Sequence, residues 1–172
     1  MPATDDHDHP HEVLTDLGVA VLTISSSRSV EADSSGDALV SLIEDAGHDV
    51  VARELVTDDV TEISEAVEGF VSTDEVEAVI TSGGTGLSPT DVTVEALHPQ
   101  FDREIPGFGE LFRSLSYDDI GPRAILSRAT GGVIDGVPVF CLPGSEAGAT
   151  FGTEELILPT VAHIVSHTQG ES

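Results

Sequence analysis

The chain has 172 residues, 39% of them apolar, which suits one globular domain with a continuous core. Its 32 acidic residues outnumber six basic ones, all arginine, and the formal net charge is −26. That balance argues against a nucleic-acid binder, which needs a basic face to displace counterions, while the apolar content argues against a disordered acidic chain. Self-repulsion on this scale opposes compaction in dilute salt, but at molar salt the Debye length shrinks to about 3 Å. The composition is thus that of a halophilic protein. A positive start followed by an apolar stretch, and any apolar run of about 20 residues, are both missing, so a cytoplasmic protein without membrane contact is expected.

Met1 to Val13 hold Asp5, Asp6, Asp8 and Glu12 among His7, His9 and His11, and read as a disordered tail; residues 14–172 read as a single domain. Leu17 to Ile24 is a continuous apolar, β-branched run, as in a strand buried on both faces. Ser35 can cap a helix whose Ala38, Leu39, Leu42, Ile43 and Ala46 follow helical spacing, with Gly47 past its end. Val50 to Val56 reads as a second strand, so strand, helix and strand form a parallel unit. Thr61 can cap a second helix with Ile63, Ala66, Val67 and Phe70 on one face, before a strand at Val76 to Thr81. Pro106 to Ser116 suits a helix with Pro in its first turn, presenting Phe108, Leu111, Phe112 and Leu115. Asp135-Gly136 between two apolar runs predicts a tight hairpin, whose second strand places Cys141 as a buried small hydrophobe. Ala147 to Ser166 is helical in pattern and interrupted near Pro159. The expected fold is an α/β three-layer sandwich with a mostly parallel sheet and one antiparallel hairpin.

The stretch Thr81-Ser82-Gly83-Gly84-Thr85-Gly86, continuing to Asp91-Val92-Thr93, follows the carboxyl end of a predicted buried strand, where ligands bind in open α/β sheets. Three glycines with hydroxyls between them let backbone approach an anion, and successive N–H groups there can form a phosphate nest. The stretch matches neither the Walker loop nor the dinucleotide fingerprint. Asp91 has two readings. Ser88-Pro89-Thr90-Asp91 has capping-box spacing, with Thr93 as an alternative cap, and a carboxylate close after such a loop also suits Mg²⁺ bridging phosphates. Asp58 and Asp59 follow the second strand to the same rim, one placed for a metal and the other for capping. Leu142-Pro143-Gly144-Ser145 leads from a strand into a helix start, a position suited to an anion or to a plain turn. Arg28 and Arg128 are candidate phosphate partners, with ion pairing as their other use. His163 and His167 lie four apart on a helical pattern, the spacing of a metal-binding pair, with no third ligand evident in the sequence.

Four motifs stand in order: Ser82-Gly83-Gly84-Thr85-Gly86 through Asp91-Val92-Thr93, Pro106-Gly107-Phe108-Gly109-Glu110, Ser127-Arg128-Ala129, and Leu142-Pro143-Gly144-Ser145. Together they resemble the MoaB/Mog family and the related G domain of gephyrin, over about Leu17 to His163. The resemblance implies a homotrimer or hexamer that binds molybdopterin and uses Mg²⁺ and ATP to adenylate its terminal phosphate, releasing pyrophosphate. A molybdenum-inserting enzyme would be the downstream partner. It implies Asp91 and Asp58 as catalytic and metal-holding carboxylates, Ser82, Gly83, Gly84, Thr85 and Gly86 as the ligand loop, and Gly144 and Ser145 as part of the pocket. The alternative is a non-catalytic molybdopterin carrier or scaffold. Family positions that often hold a basic residue are here Ser34, Thr90 and Ala147.

The charge predicts a salt-dependent fold. Thermal unfolding followed by circular dichroism should give a markedly higher midpoint in molar KCl than in dilute buffer; equal midpoints would remove the halophilic reading.

Overall fold

The computed structural model describes residues 16–170; the tail expected at Met1 to Val13 lies outside the described residues. Six strands form one sheet in the order β2-β1-β3-β6-β5-β4: β1 Gly18–Ile24, β2 Asp49–Val56, β3 Ala78–Ser82, β4 Arg103–Glu104, β5 Thr130–Ile134 and β6 Val137–Leu142. β2, β1, β3 and β6 run parallel, and β5 is antiparallel to both its neighbours.

The β1 run is buried along its whole length, and its period of two divides it between two cores. Leu17, Val19 and Val21 join Ile80, Phe140 and Leu142 on one face. There they meet Leu39 and Ile43 of α1 (Ser34–Asp45), Phe108 and Phe112 of α4 (Pro106–Ile120), and Ile157, Val161 and Val165 of the closing helix. Ala20, Leu22 and Ile24 join Val79, Val139 and Cys141 on the other face, under α2 (Val60–Val71) and α3 (Thr93–Leu97). This is the expected three-layer sandwich. Burial pushes the Cys141 thiol up to about 12, partly offset by Thr81, and it packs as a hydrophobe.

The hairpin forms as predicted: Asp135 and Gly136 take φ of 49° and 81°, the conformation a two-residue turn of this hand requires. α5 (Glu146–Gly152) and α6 (Leu158–Thr168) flank a wide helical turn at Thr153–Ile157, and the interruption expected near Pro159 falls in the first turn of α6. Among the described residues no helix is long and apolar enough to cross a membrane.

Several local expectations are corrected. The cap of α1 is Asp33, whose carboxylate accepts from Gly36 N–H; Ser35 lies inside the helix. The cap of α2 is Asp59, accepting from Glu62 N–H, and Thr61 lies within the first turn. In both cases a carboxylate two positions earlier takes the capping role from a hydroxyl. α4 runs four residues past Ser116, and Leu111 on it is 55% exposed. β4 is an addition, too short to leave a sequence pattern.

Asp33 joins β1, α1 and β2. At 1% exposure its carboxylate accepts from Thr23 Oγ1 at 2.6 Å, Gly36 N–H at 3.0 Å and Arg53 Nη2 at 3.2 Å. Burial raises its pKa, but the hydrogen bonds from Thr23, Gly36 and Arg53 outweigh burial and hold it below the ordinary 3.8. Asp33→Ala would orphan a buried hydroxyl and a helix-terminal N–H, for a loss of about 3 kcal/mol. The pH dependence follows from the lowered pKa: the charged carboxylate stabilises the fold above its unfolded-state value and loses that effect as pH falls through the folded value. In thermal unfolding at molar KCl, the gap between wild type and Asp33→Asn should be constant above about pH 4 and narrow below it.

Candidate active site

After β1 the chain crosses to β2 on one side, then returns to β3 on the other, so the loops leaving β1 and β3 diverge. This is a topological switch point, and a crevice opens outside the carboxyl ends of the strands. The crevice is a cleft of about 740 Å³. Its walls are Ser25 to Arg28 after β1, Asp58 after β2, Gly83 to Gly86 with Thr90 and Asp91 after β3, and Pro143 to Ser145 after β6.

The glycine loop is shaped by backbone conformations that a side chain would prevent. Gly83 and Gly84 take φ of 113° and 72°, and a Cβ there would lie 2.1 Å from Ile24 O and from Thr93 Oγ1 respectively. Thr93 fastens the loop from below, donating its hydroxyl to Gly83 O at 2.8 Å and its N–H to Gly84 O at 3.1 Å. It does not cap α3, which starts without a side-chain cap. Ser82 Oγ donates to Pro143 O at 3.1 Å, tying the glycine loop to the β6 loop from behind the cleft wall.

Asp91 lines the cleft, and its Oδ2 accepts from Ser88 N–H at 2.9 Å while its own N–H returns to Ser88 O at 2.9 Å. The capping-box pairing is therefore present, but no α-helix begins there: α3 starts at Thr93. The pairing fixes the carboxylate at the cleft wall instead. Asp58 Oδ2 accepts from Ser26 N–H at 3.1 Å and Ser26 Oγ at 2.7 Å, and Asp58 N–H donates back to Ser26 Oγ at 3.1 Å. The adjacent aspartates thus divide two tasks, Asp58 at the cleft and Asp59 on the helix cap.

The two arginines singled out in the sequence differ in position. Arg28 lines the cleft, with Nη1 2.9 Å from Ser35 Oγ, which in turn donates to Gly144 O at 2.9 Å. Arg128 is committed to the glycine loop: Nε donates to Gly86 O at 2.9 Å, Nη2 to Asp91 O at 3.0 Å, Nη1 to Glu95 at 2.6 Å, and its N–H to Thr85 O at 2.9 Å. That guanidinium lowers the Glu95 pKa. Arg128 therefore holds the wall rather than facing the cleft. Ser145 lines the cleft and caps α5 through Gly148 N–H at 3.1 Å, and Gly144 packs against Gly83. Thr90 and Ala147 also line the cleft, so two positions without a basic residue face the ligand space.

A family model described as a probable molybdopterin binding domain matches residues 20–163. The chain belongs to this molybdopterin-binding family. Molybdenum cofactor biosynthesis protein B of Bacillus subtilis is 42% identical over 159 residues, covering 92% of this chain and 94% of that one. A crystal structure of a molybdenum cofactor biosynthesis protein B superposes with TM-score 0.88 at 43% identity, over 91% of this chain and 98% of the other. The tungsten cofactor synthesizing protein MoaB from Pyrococcus furiosus does so at 0.80 with 34% identity, over 90% and 98%. The family resemblance read from the motifs thus holds, and with it a place in molybdenum cofactor biosynthesis.

The far wall of the cleft is absent from the sequence reading. Phe112, Ile120, Ala124, Leu126 and Phe151 form an apolar side opposite the polar loops, with Arg123 and Asp119 at its edge. Helical periodicity assigns Phe112 to the core, where it is indeed buried, and gives no sign that the same helix face also borders a ligand space. Arg123 lies in a one-turn segment, Gly121–Leu126, without a motif.

Proposed function

We propose that the chain is a molybdopterin adenylyltransferase, joining the terminal phosphate of molybdopterin to the AMP moiety of ATP. The observation that carries this reading is a single cleft with two fixed carboxylates and a guanidinium on one wall and an apolar surface on the other. A pterin needs the second wall, and phosphates need the first. The glycine, Ser25–Arg28 and Pro143–Ser145 loops all reach the phosphate side, so ligand backbone contacts come from three strand ends.

In the transfer, an oxygen of the molybdopterin phosphate bonds to the α-phosphorus of ATP. The bond from that phosphorus to the bridging oxygen breaks, and pyrophosphate departs with the electron pair. Both reacting groups are anionic, so the chain's role is to position them and offset their charge. Arg28 and Arg123 supply positive charge at the cleft, and Ser35 orients Arg28. Arg128, through Gly86 and Asp91 carbonyls, keeps the glycine loop and the Asp91 backbone in register with the cleft.

Asp58 and Asp91 suit Mg²⁺. Among the described residues no group of three or more His, Cys, Asp or Glu side chains converges as a protein-only metal cage. Mg²⁺ does not need one, since it takes one or two carboxylates with phosphates and waters, all hard oxygen donors. When bound it would neutralise charge on the phosphates. Oligomerisation through α4 and the following turn fits the reading as well, because Leu111, Tyr117, Ile125 and Leu126 there are exposed.

The decisive experiment is pyrophosphate release from ATP in the presence of molybdopterin and Mg²⁺ in molar KCl. A carrier or scaffold would bind molybdopterin and release none. Asp91→Asn should keep its fold and its pterin binding, yet lower turnover at least a hundredfold, about 3 kcal/mol of transition-state stabilisation. Near wild-type turnover, or a loss that tracks unfolding, would reduce Asp91 to a loop-shaping residue.

A further inference from the structure

The last turns of α6 carry a pair of ligands that the cleft does not use. His163 and His167 are both exposed, and neither lines the cleft. Their rings stand 4.5 Å apart between centroids, inclined at 73°, and their Nε2 atoms are 3.2 Å apart. Imidazole nitrogens bind Zn²⁺ at about 2.0–2.1 Å, so two of them at a tetrahedral angle stand about 3.3 Å from each other. The observed separation already matches that bite, and small ring rotations bring both lone pairs to one point.

Three further features favour a cation there. Val161 and Val165, on the buried side of the same helix, are 2% and 0% exposed and fix the backbone that carries the pair. His167 lies in the last turn, where the helix dipole presents its negative end. The net charge of −26 adds a field that draws cations to any surface ligand. The nitrogen donors select a first-row transition metal over Mg²⁺, which keeps this pair chemically distinct from the oxygen donors of the cleft.

We propose that His163 and His167 form a two-histidine site for a divalent first-row transition metal, with Zn²⁺ the fitting geometry and water completing its coordination. Bound metal links two successive turns and staples the end of the helix that closes the sheet. The site stands independently of the adenylation reading.

His7, His9 and His11 also offer imidazoles, so the test uses the full chain carrying H7A, H9A and H11A. Zn²⁺ is titrated in competition with a chromophoric chelator in molar KCl near pH 7.5, alongside thermal unfolding with and without metal. The expected result is one Zn²⁺ per chain and a metal-dependent rise in midpoint. Adding His167→Gln or His163→Gln should lower the affinity at least tenfold and abolish the rise, with the metal-free midpoint little changed because both side chains are exposed. Absence of Zn²⁺ binding to the parent, or binding that survives both glutamine variants, overturns the proposal. Should one variant unfold without metal, the other decides.

Discussion

Everything at the ligand end of this molecule depends on the pairing of β1 with β3 at the centre of the sheet. Both strands are buried along their length, so neither can shift register without exposing an apolar face to water. The crossover from β1 goes one way and the chain comes back to β3 from the other, which leaves their carboxyl ends uncovered by any helix. Ser25 to Arg28 and Gly83 to Gly86 are held at that gap by strands that cannot move. The third loop, after β6, is fastened to the second by Gly83 N–H donating to Leu142 O at 2.9 Å and by Ser82 donating to Pro143 O. A rigid floor thus carries short loops whose backbone can be shaped closely around phosphate.

Charge is distributed with economy in a chain of six arginines. Arg53 neutralises the buried Asp33 and the neighbouring Asp37. Arg113 donates to the carbonyls of Ser127 and Ala129, and Arg128 to those of Gly86 and Asp91. These three arginines tie loops and helix starts together, while Arg28 and Arg123 border the cleft. With so much negative charge elsewhere, two guanidinium groups and two metal-ready carboxylates are a sparse set for a polyanionic ligand. Molar salt that screens the surface also makes that sparse set sufficient, since long-range repulsion of the ligand is damped and only short-range contacts count.

Much of this was legible in the sequence. The continuous run of β1, the helical face of α2 and the Asp-Gly turn each announce their structure through local spacing, and the glycine loop announces the site because its position after a buried strand is itself a topological statement. The structure then resolves what spacing leaves open. Asp91 is paired with Ser88 yet no helix starts there, and Arg128 supports the loop because its partners, Gly86, Asp91 and Glu95, are more than thirty residues away in the chain. Asp33 and Asp59 displaced the expected hydroxyl caps because the helices begin earlier than their apolar periodicity. The apolar wall of Phe112, Ile120 and Phe151 was illegible for a related reason: a helix face reads the same in sequence whether it borders core or cleft.

The central claim is that the crevice at the β1 and β3 switch point is where molybdopterin binds. Amide chemical-shift mapping on isotope-labelled protein in molar KCl tests it directly. Added molybdopterin should move the amides of Ser26 to Arg28, Gly84 to Gly86, and Gly144 with Ser145, and leave those of the outward side of α2 unchanged. Shifts confined to α2 or to the β4 edge, with the three loops unmoved, would contradict the account.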